Sequence, residues 1–292
     1  MTATLNAPAY LQPATIEGAL AALGDSADRR CVLVAGGTWV MRAALRGEAG
    51  DRTFVSLTGI DALHGIAAEH TGLRIGPMVT HAALGHALDA FPAFGALGVA
   101  ASVSANPAVR NSATVGGNIC AQDFTAPDLV PALIALNATV SLRSDSGEET
   151  CALADYVQGR PERSAREILT GIHVPRQAGL SAHARGLMRQ AGEYPVAIVS
   201  VYAEIGASGK IGSIRIAISS VEAAPRRWES LEQALLGQNH DPATAKEAAE
   251  AHLSSLKPRD GVDAPGWYRA RILPRLIERA FADLATQMGQ GN

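Results

Sequence analysis

The stretch Arg110–Asn118, RNSATVGGN, places two adjacent glycines between a β-branched pair and an asparagine. Glycine has no Cβ, so its backbone adopts positive φ readily and a ligand can approach the main chain closely. Successive amide N–H groups in such a turn can converge on an anion. A second pair, Gly36-Gly37, follows the apolar run Cys31–Ala35 and precedes Thr38. Two strand-then-glycine turns in one chain suggest a ligand held from two sides.

Both glycine pairs also have an ordinary structural explanation. The first fits a tight turn after a buried strand, and the second fits a bulge. Neither pair matches the GxGxxG pattern of a Rossmann domain, and no lysine follows either pair as it does in a P-loop. On residue chemistry alone, an anionic ligand such as a pyrophosphate and the ordinary explanation are equally supported.

Composition and charge exclude several classes of function. The chain has 292 residues, 47% of them hydrophobic, which suffices for two domains or one large one. A net charge of −3 provides no basic field for nucleic acid or an anionic membrane. The most apolar run, Leu129–Val140, is too short to span a bilayer. The N-terminal residues lack the pattern of a signal peptide, so we expect a soluble, cytoplasmic protein without a transmembrane segment.

Metal and hydrolase motifs are missing from the sequence. The three cysteines Cys31, Cys120 and Cys151 are far apart and form no CxxC pair, which disfavours an iron–sulfur cluster or zinc finger within this chain. The eight histidines are dispersed and include no HExxH, and no serine lies in a GxSxG elbow. We therefore expect no metal site and no hydrolytic triad. Asp128, before an apolar helix, is explained equally well as a cap or dipole partner of that helix or as a ligand contact.

Hydrophobic periodicity divides the chain into three units. The first is a β/α/β unit with a helix over 13–23, a strand buried on both faces at Cys31–Ala35, a short helix at Trp39–Leu45 and a strand at Phe54–Leu57. The second contains strands at Leu73–Gly76, Val140–Arg143 and Glu167–Val174, with helices capped by Thr80, over Ala93–Val103 and starting at Pro127-Asp128. After an irregular boundary at Gln177–Ala184 come a hairpin of Val196–Ile205 and Ile211–Val221 and three helices, at Arg226–Leu236, from Asp241-Pro242, and at Trp267–Leu284.

Taken together, the motifs resemble those of one family of flavoproteins. The segments that carry the resemblance are YLQPAT at 10–15, AGGT at 35–38, NP at 106–107, ATVGGNI at 113–119, PDL at 127–129, PAL at 131–133, and residues 225–227 and 267–279. This set is similar to the FAD-binding medium subunit of the molybdenum hydroxylases, the family of xanthine, carbon monoxide and nicotine dehydrogenases. The resemblance covers nearly the whole chain.

The resemblance implies an α+β fold of two domains. An FAD-binding domain of the p-cresol methylhydroxylase type is expected over residues 1–178, with α+β subdomains of about 1–60 and 61–178. A C-terminal α+β domain of the CO dehydrogenase flavoprotein type, a small sheet with helices, is expected over 182–288.

The resemblance also implies an electron-transfer function. The FAD of such a subunit takes electrons from [2Fe–2S] clusters of an iron–sulfur small subunit and passes them to NAD, a quinone, a cytochrome or dioxygen. A large subunit holds the molybdenum cofactor, and the complex is a heterotrimer or a dimer of heterotrimers. Electron relay requires no protein acid or base, so no catalytic residue is expected. Two alternatives stay open: a flavin-free assembly subunit, and a stand-alone flavin oxidoreductase of the same superfold.

Positions matching the family motifs give the expected FAD contacts. They are Leu33, Val34, Ala35, Gly36, Gly37, Thr38, Trp39, Val40, Thr114, Val115, Gly116, Gly117, Asn118, Asp128, Leu169 and Arg189. An arginine near the pyrimidine end of a flavin stabilises its anionic reduced form.

Three segments depart from the family pattern. Trp39 stands where a small polar residue is common, and both Gln122–Ala126 and Glu193–Pro195 differ from the usual sequences. We expect these departures near the flavin edge, which leaves the electron acceptor open. The indole beside Gly37 is the feature that favours the flavin-free alternative.

Overall fold

A computed structural model describes residues 9–24, 30–46, 52–89, 91–160, 163, 166–187 and 194–290. Two positions singled out from the sequence, Arg189 and Glu193, lie outside these residues. Within them the chain is a mixed helix and sheet protein with three separate sheets, so the expected α+β class is confirmed.

The N-terminal sheet has three parallel strands, β1 (Ala9–Leu11), β2 (Arg30–Val34) and β3 (Arg52–Ser56), in the order β1-β3-β2. Helix α1 (Ile16–Gly24) connects β1 to β2, and a 3₁₀ helix (Val40–Arg46) precedes β3. The expectation that the second strand is buried on both faces is wrong, because β2 lies at the edge of the sheet and residues 31–34 are half-buried. The buried strand of this sheet is the central one, β3, in which the Val55 side chain is fully buried.

The middle sheet has five antiparallel strands in the order β4-β5-β8-β6-β7. The strands are β4 (Ile66–Glu69), β5 (Gly72–Ile75), β6 (Thr139–Ser144), β7 (Gly147–Ala152) and β8 (Glu167–Pro175). Its helices are α2 (His81–Leu88), α3 (Gly95–Val103), α4 (Pro107–Arg110), α5 (Val115–Cys120), α6 (Leu129–Ala135) and α7 (Leu153–Gly159). The buried helix α6 lies at the centre of this unit's core, since all seven of its residues are buried. Sequence periodicity did not reveal β1, β4, β7 or α7.

The second glycine pair does not form the expected turn after a strand. Gly116 and Gly117 lie in α5, and Thr114 is the N-cap of that helix, accepting the Gly117 N–H on its Oγ1 at 3.0 Å. Before the cap, the chain makes only an isolated bridge, between Thr114 and Thr80. A cap hydroxyl that bonds the third helical amide stabilises the first turn of a helix, which explains why the glycines become helical here.

The C-terminal sheet has four antiparallel strands, in the order β12-β11-β10-β9. They are β9 (Leu180–Gly186), β10 (Ala197–Ile205), β11 (Ile211–Ser219) and β12 (Arg226–Arg227), followed by α8 (Glu229–Leu235), α9 (Pro242–Ala251) and α10 (Gly266–Gln290). The β10–β11 hairpin is confirmed. The helix expected at Arg226 begins later, at Glu229, because Arg226 and Arg227 pair with β11.

The segment expected to be an irregular boundary is partly a buried strand. Polar residues in β9 are buried because each has a partner in a neighbouring element. Ser181 accepts the Ala96 N–H at 3.0 Å, and His183 Nδ1 bonds Ser200 Oγ at 2.9 Å. Its composition looks like a loop, but the sheet and α3 supply its hydrogen-bond partners.

The C-terminal sheet packs directly on α6. Tyr202 and Ala217 share a hydrophobic core with α3 and α6, and the Nε of Arg215 donates to the carbonyl of Ala135 at the end of α6 (2.7 Å). This contact brings β9 close to the start of α6. Among the described residues, no helix combines the length and the apolar composition that crossing a membrane requires.

Candidate cofactor site

The first glycine turn presents a cluster of unpaired amides. Gly37 has a positive φ of 72°, and within the described residues the N–H groups of Gly36, Gly37 and Thr38 donate to no protein acceptor. The carbonyl of Gly37 is occupied, since it accepts the Met41 N–H at 2.9 Å. Unpaired amides at a half-buried turn need an external acceptor, and a turn with positive φ makes the concave arrangement that binds anions.

The second glycine segment offers no such amides. The N–H groups of Val115 and Gly116 donate to Val79 O (2.9 Å) and Pro77 O (2.8 Å). Those of Gly117 and Asn118 bond the Oγ1 and carbonyl of the N-cap residue Thr114. The expectation that amides converge on an anion therefore applies to residues 36–38, and not to residues 115–118.

The two glycine segments touch each other. A Cβ placed on Gly36 would lie 1.7 Å from the carbonyl oxygen of Ser112, and one on Gly116 would lie 2.6 Å from Pro77 Cβ. A Cβ on Gly117 would meet only Thr114 Oγ1, at 3.0 Å. Gly36 and Gly116 are thus required by the packing of the protein itself, whereas Gly117 leaves space beside α5 for a ligand.

Asn118 and Asp128 link α5 to α6. The Asn118 Oδ1 accepts the Leu129 N–H at 3.1 Å, and so caps α6 from a distance. Asp128 makes no capping hydrogen bond, which rules out the helix-cap explanation for this residue. Its carboxylate instead faces Arg185 of β9, with Arg185 Nε 3.3 Å from Asp128 Oδ1.

The Asp128–Arg185 pair is buried and incompletely hydrogen-bonded. Asp128 is 5% exposed, and burial raises the pKa of its carboxyl to about 6 although the guanidinium of Arg185 opposes the shift. Arg185 also donates from Nη1 to the carbonyl of Val103. Asp128 Oδ1 and the Nε and Nη2 of Arg185 have no hydrogen-bond partner in the described part of the chain. Buried polar groups are normally paired, so an acceptor next to two donors suits a ligand with hydroxyl, carbonyl or N–H groups.

The remaining expected contacts lie in different surroundings. The residues Leu33, Val34 and Ala35 are half-buried at the end of β2, and Val40 opens the 3₁₀ helix. Leu169 is 6% exposed, stands opposite Leu142 of β6 and belongs to the same buried core as Val115 of α5. Sequence reasoning does not identify Arg185, because no motif marks it and it directly follows the segment Gln177–Ala184 that is expected to be an irregular boundary.

The three departures from the family pattern come together in space. The ring of Phe124 lies 4.8 Å from that of Trp39 and 5.4 Å from that of Tyr194, measured between centroids. The indole Nε1 of Trp39 donates to the Gln122 carbonyl at 2.9 Å, and Arg42 donates to the Tyr194 hydroxyl, also at 2.9 Å. The indole is therefore turned toward the loop after α5. A cleft of about 100 Å³ beside these rings is also lined by Arg259 and Asp263.

One buried histidine near the site, His81, is hydrogen-bonded to a serine of a neighbouring helix end. His81 follows Thr80 at the bridge to Thr114, and its Nδ1 bonds Ser104 Oγ at 2.7 Å. Burial lowers the pKa of His81 to about 4, so its ring is neutral at physiological pH. Among the described residues, no group of three or more His, Cys, Asp or Glu side chains is placed to hold a metal ion.

These features define a class of protein: a two-part α+β protein that binds a large anionic cofactor. The unpaired amides suit a phosphate or diphosphate, the space beside Gly117 suits close approach of a bulky group, and the Asp128–Arg185 pair suits its polar groups.

Comparison with protein families identifies the family. Residues 4–177 match the FAD binding domain in molybdopterin dehydrogenase, and residues 182–284 match the CO dehydrogenase flavoprotein C-terminal domain. The chain belongs to the family of FAD-binding subunits of molybdenum hydroxylases. It is an oxidoreductase subunit with FAD as its cofactor, and the resemblance noted from the sequence is confirmed.

Individual relatives of known name align with this chain over nearly its full length. The nicotine 6-hydroxylase medium subunit of Paenarthrobacter nicotinovorans is 27% identical, over 94% of this chain and 96% of that protein. The xanthine dehydrogenase FAD-binding subunit of Escherichia coli O157:H7 is also 27% identical, over 96% and 97%. A chain of reconstituted CO dehydrogenase from Oligotropha carboxidovorans has a TM-score of 0.84 at 26% identity, covering 94% of this chain and 98% of that one. A chain of quinoline 2-oxidoreductase from Pseudomonas putida 86 has the same fold, with a TM-score of 0.86 at 23% identity over 96% and 98%.

Proposed function

We propose that this chain is the FAD-carrying electron-transfer subunit of a multi-subunit molybdenum hydroxylase. The observation that carries the proposal is the set of unpaired amides at Gly36, Gly37 and Thr38, which match the negative charge of the FAD diphosphate. The Thr38 hydroxyl adds a further donor. Bound FAD supplies the redox chemistry, and the protein contributes binding, orientation and electrostatics.

Other residues near the amides are proposed to make different contacts with the cofactor. Gly117 permits close approach of the cofactor to α5. Asp128 accepts hydrogen bonds from cofactor hydroxyl or N–H groups, and Arg185 donates to its oxygen atoms. The positive charge of Arg185 also favours a negatively charged, reduced flavin. Leu169 and Arg189 remain predicted contacts.

The electron path involves other subunits. Electrons arrive from [2Fe–2S] clusters of an iron–sulfur small subunit, which receives them from a large subunit with the molybdenum cofactor. The names of the relatives, a hydroxylase medium subunit and FAD-binding or medium subunits of dehydrogenases, support a multi-subunit complex. The proposed stoichiometry is a heterotrimer or a dimer of heterotrimers. NAD, a quinone, a cytochrome and dioxygen are the candidate acceptors. A cytoplasmic location is supported by Cys31, Cys120 and Cys151, all free thiols.

The proposed division into domains follows the two family matches. Residues 1–178 form the FAD-binding domain, with subdomains of about 1–60 and 61–178, and residues 182–288 form the C-terminal domain. The matched ranges, 4–177 and 182–284, support this boundary.

The first test of the function is the colour of the purified chain. We expect a flavin absorbance spectrum, with FAD released on denaturation. A colourless protein that also takes up no added FAD would contradict the proposal and favour a flavin-free assembly subunit. Reduction of the flavin by an organic substrate in the isolated chain would instead identify a stand-alone oxidoreductase. Co-purification of molybdenum and iron with the native complex tests the partner subunits.

A further inference from the structure

The aromatic cluster joins three segments that are distant in the chain. Trp39 follows the unpaired amides, Phe124 belongs to the loop after α5, and Tyr194 precedes β10. Their ring centroids lie 4.8 to 6.4 Å apart, in tilted and edge-to-face pairs, which is the favourable range for aromatic contacts. The cluster therefore connects the first glycine segment to the loop after the second one and to the residues that precede β10.

Two hydrogen bonds fix this cluster. The indole N–H of Trp39 donates a hydrogen bond to the carbonyl of Gln122, 83 residues away in sequence. Arg42 donates a hydrogen bond to the Tyr194 hydroxyl. Arg42 also lies over the Tyr194 ring, 5.9 Å from its centroid. Trp39 and Phe124 are half-buried, and Tyr194 is 43% exposed. The contacts are formed at the surface, where they can open without unfolding the core.

The unpaired amides lie between two contact points of the glycine segments. On one side Gly36 packs against Ser112, and on the other Trp39 contacts Gln122 and Phe124. The contact between Gly36 and Ser112 is formed by main-chain atoms, so rotation of a side chain cannot separate the two segments there. The second contact consists of the Trp39–Phe124 ring pair and the indole hydrogen bond to the Gln122 carbonyl, so rotation of the Trp39 side chain can break it when a ligand enters or leaves.

We propose that Trp39, Phe124 and Tyr194 form an aromatic clasp that retains the bound cofactor, so that opening of the clasp limits the rate at which FAD leaves. The inference rests on the proposed function and deepens it, because it assigns a positioning role to three side chains. Loss of one ring removes two aromatic contacts and, for Trp39, one hydrogen bond. We expect this loss to raise the rate constant for FAD release about tenfold, without slowing FAD association.

The test measures cofactor exchange in the whole chain. FAD-free protein is mixed with FAD, and the quenching of flavin fluorescence gives the association rate constant from its concentration dependence and the dissociation rate constant from dilution. The variants are Trp39→Leu, Phe124→Leu and the double variant. Trp39→Phe, which keeps a ring, should restore most of the retention. Trp267→Leu is the matched control, because Trp267 is 64% exposed and pairs with Tyr268 on α10, not with any of the three rings.

Thermal unfolding of each FAD-free variant verifies that the rings are dispensable for folding. Faster release in both single variants, with the double variant no faster than either, supports the clasp. Release at the wild-type rate, slower association alone, or fully independent effects of the two rings would each overturn it. A wild-type chain that binds no FAD would refute the proposed function itself, a result distinct from all of these.

Discussion

Gly18 and Gly117 occupy the same position relative to a helix cap. Each glycine is the third residue of its helix. The Gly18 N–H donates to Thr15 Oγ1, and the Gly117 N–H donates to Thr114 Oγ1, both at 3.0 Å. A Cβ at either position meets the threonine hydroxyl at 3.0 to 3.2 Å. The two glycines thus match at the cap, although a Cβ on Gly18 would also lie 3.3 Å from Pro13 Cβ. Only Gly117 lies beside the proposed cofactor.

This equivalence permits a controlled test of cofactor approach. In Gly117→Ala we expect the FAD content to fall, because the added Cβ occupies space that the cofactor needs. Stability of the FAD-free chain should change by about 1 kcal/mol or less, since alanine favours the helix while the hydroxyl shifts slightly. Gly18→Ala should keep its flavin. Flavin absorbance per chain and urea unfolding measure the two effects, and full flavin occupancy in Gly117→Ala would contradict the assignment.

Asp128 is expected to lower the stability of the folded chain as the pH rises, the opposite of a carboxyl group whose pKa is lowered by folding. Its pKa is raised from 3.8 to about 6, so the folded chain binds a proton more tightly than the unfolded chain does. By linkage, the contribution of Asp128 to stability is greatest below pH 3.8 and is lost as the pH rises to about 6. The loss amounts to about 3 kcal/mol, because each unit of pKa corresponds to about 1.4 kcal/mol.

We expect this loss to appear in the difference between wild type and Asp128→Asn. As the pH rises from 4 to 7, the free energy of unfolding of the FAD-free wild type should fall relative to that of the variant. Other carboxyl groups cancel in the comparison. Urea unfolding at several pH values measures it, and a pH-independent difference would show that Asp128 is already ionised at the lower pH.

At the level of elements, the cap of α5 couples folding to the proposed site. Thr114 Oγ1 holds the Gly117 amide, and the same helix contributes Asn118, which caps α6. Removing the Thr114 hydroxyl deletes the hydrogen bond to the Gly117 N–H. The first turn of α5 is then less stable, and the position of Gly117 at the proposed site is less well defined.

Thr114→Ala should accordingly lower stability by about 1 kcal/mol and weaken FAD binding, while Thr114→Ser should restore both. Asp241→Ala is the matched control, because Asp241 caps α9 in the C-terminal part by accepting the Thr244 N–H at 2.7 Å. It should lose a similar amount of stability and keep its affinity for FAD. Equal losses of affinity in both variants would mean that general destabilisation, and not the α5 cap, controls binding.

Elements with strong local signals were predicted well. Strand β8, the β10–β11 hairpin and the caps at Thr80 and Asp241 all depend on alternation or on a side chain next to the backbone that it bonds. The helical state of Gly116-Gly117 was not predictable in the same way, because glycine is a poor helix former and the Thr114 cap overrides that preference.

For the molecule as a whole, motifs predict where the proposed cofactor site lies, whereas contacts between distant segments determine its details. The family match and the amides at residues 36–38 follow from local sequence. Arg185 does not, because its meeting with Asp128 depends on the packing of the C-terminal sheet on α6. The aromatic cluster likewise joins segments more than 60 residues apart, and sequence alone shows only that each segment departs from the family pattern.

The packing of the C-terminal sheet on α6 has a practical consequence for dissecting this protein. Tyr202 and Ala217 complete the core around α6, and Arg215 satisfies the last carbonyl of that helix. A fragment cut at the junction between the two family matches would expose this apolar face to solvent and leave Asp128 without its cation. Work on isolated pieces should therefore retain the C-terminal sheet together with the flavin-binding part, or replace its contact surface.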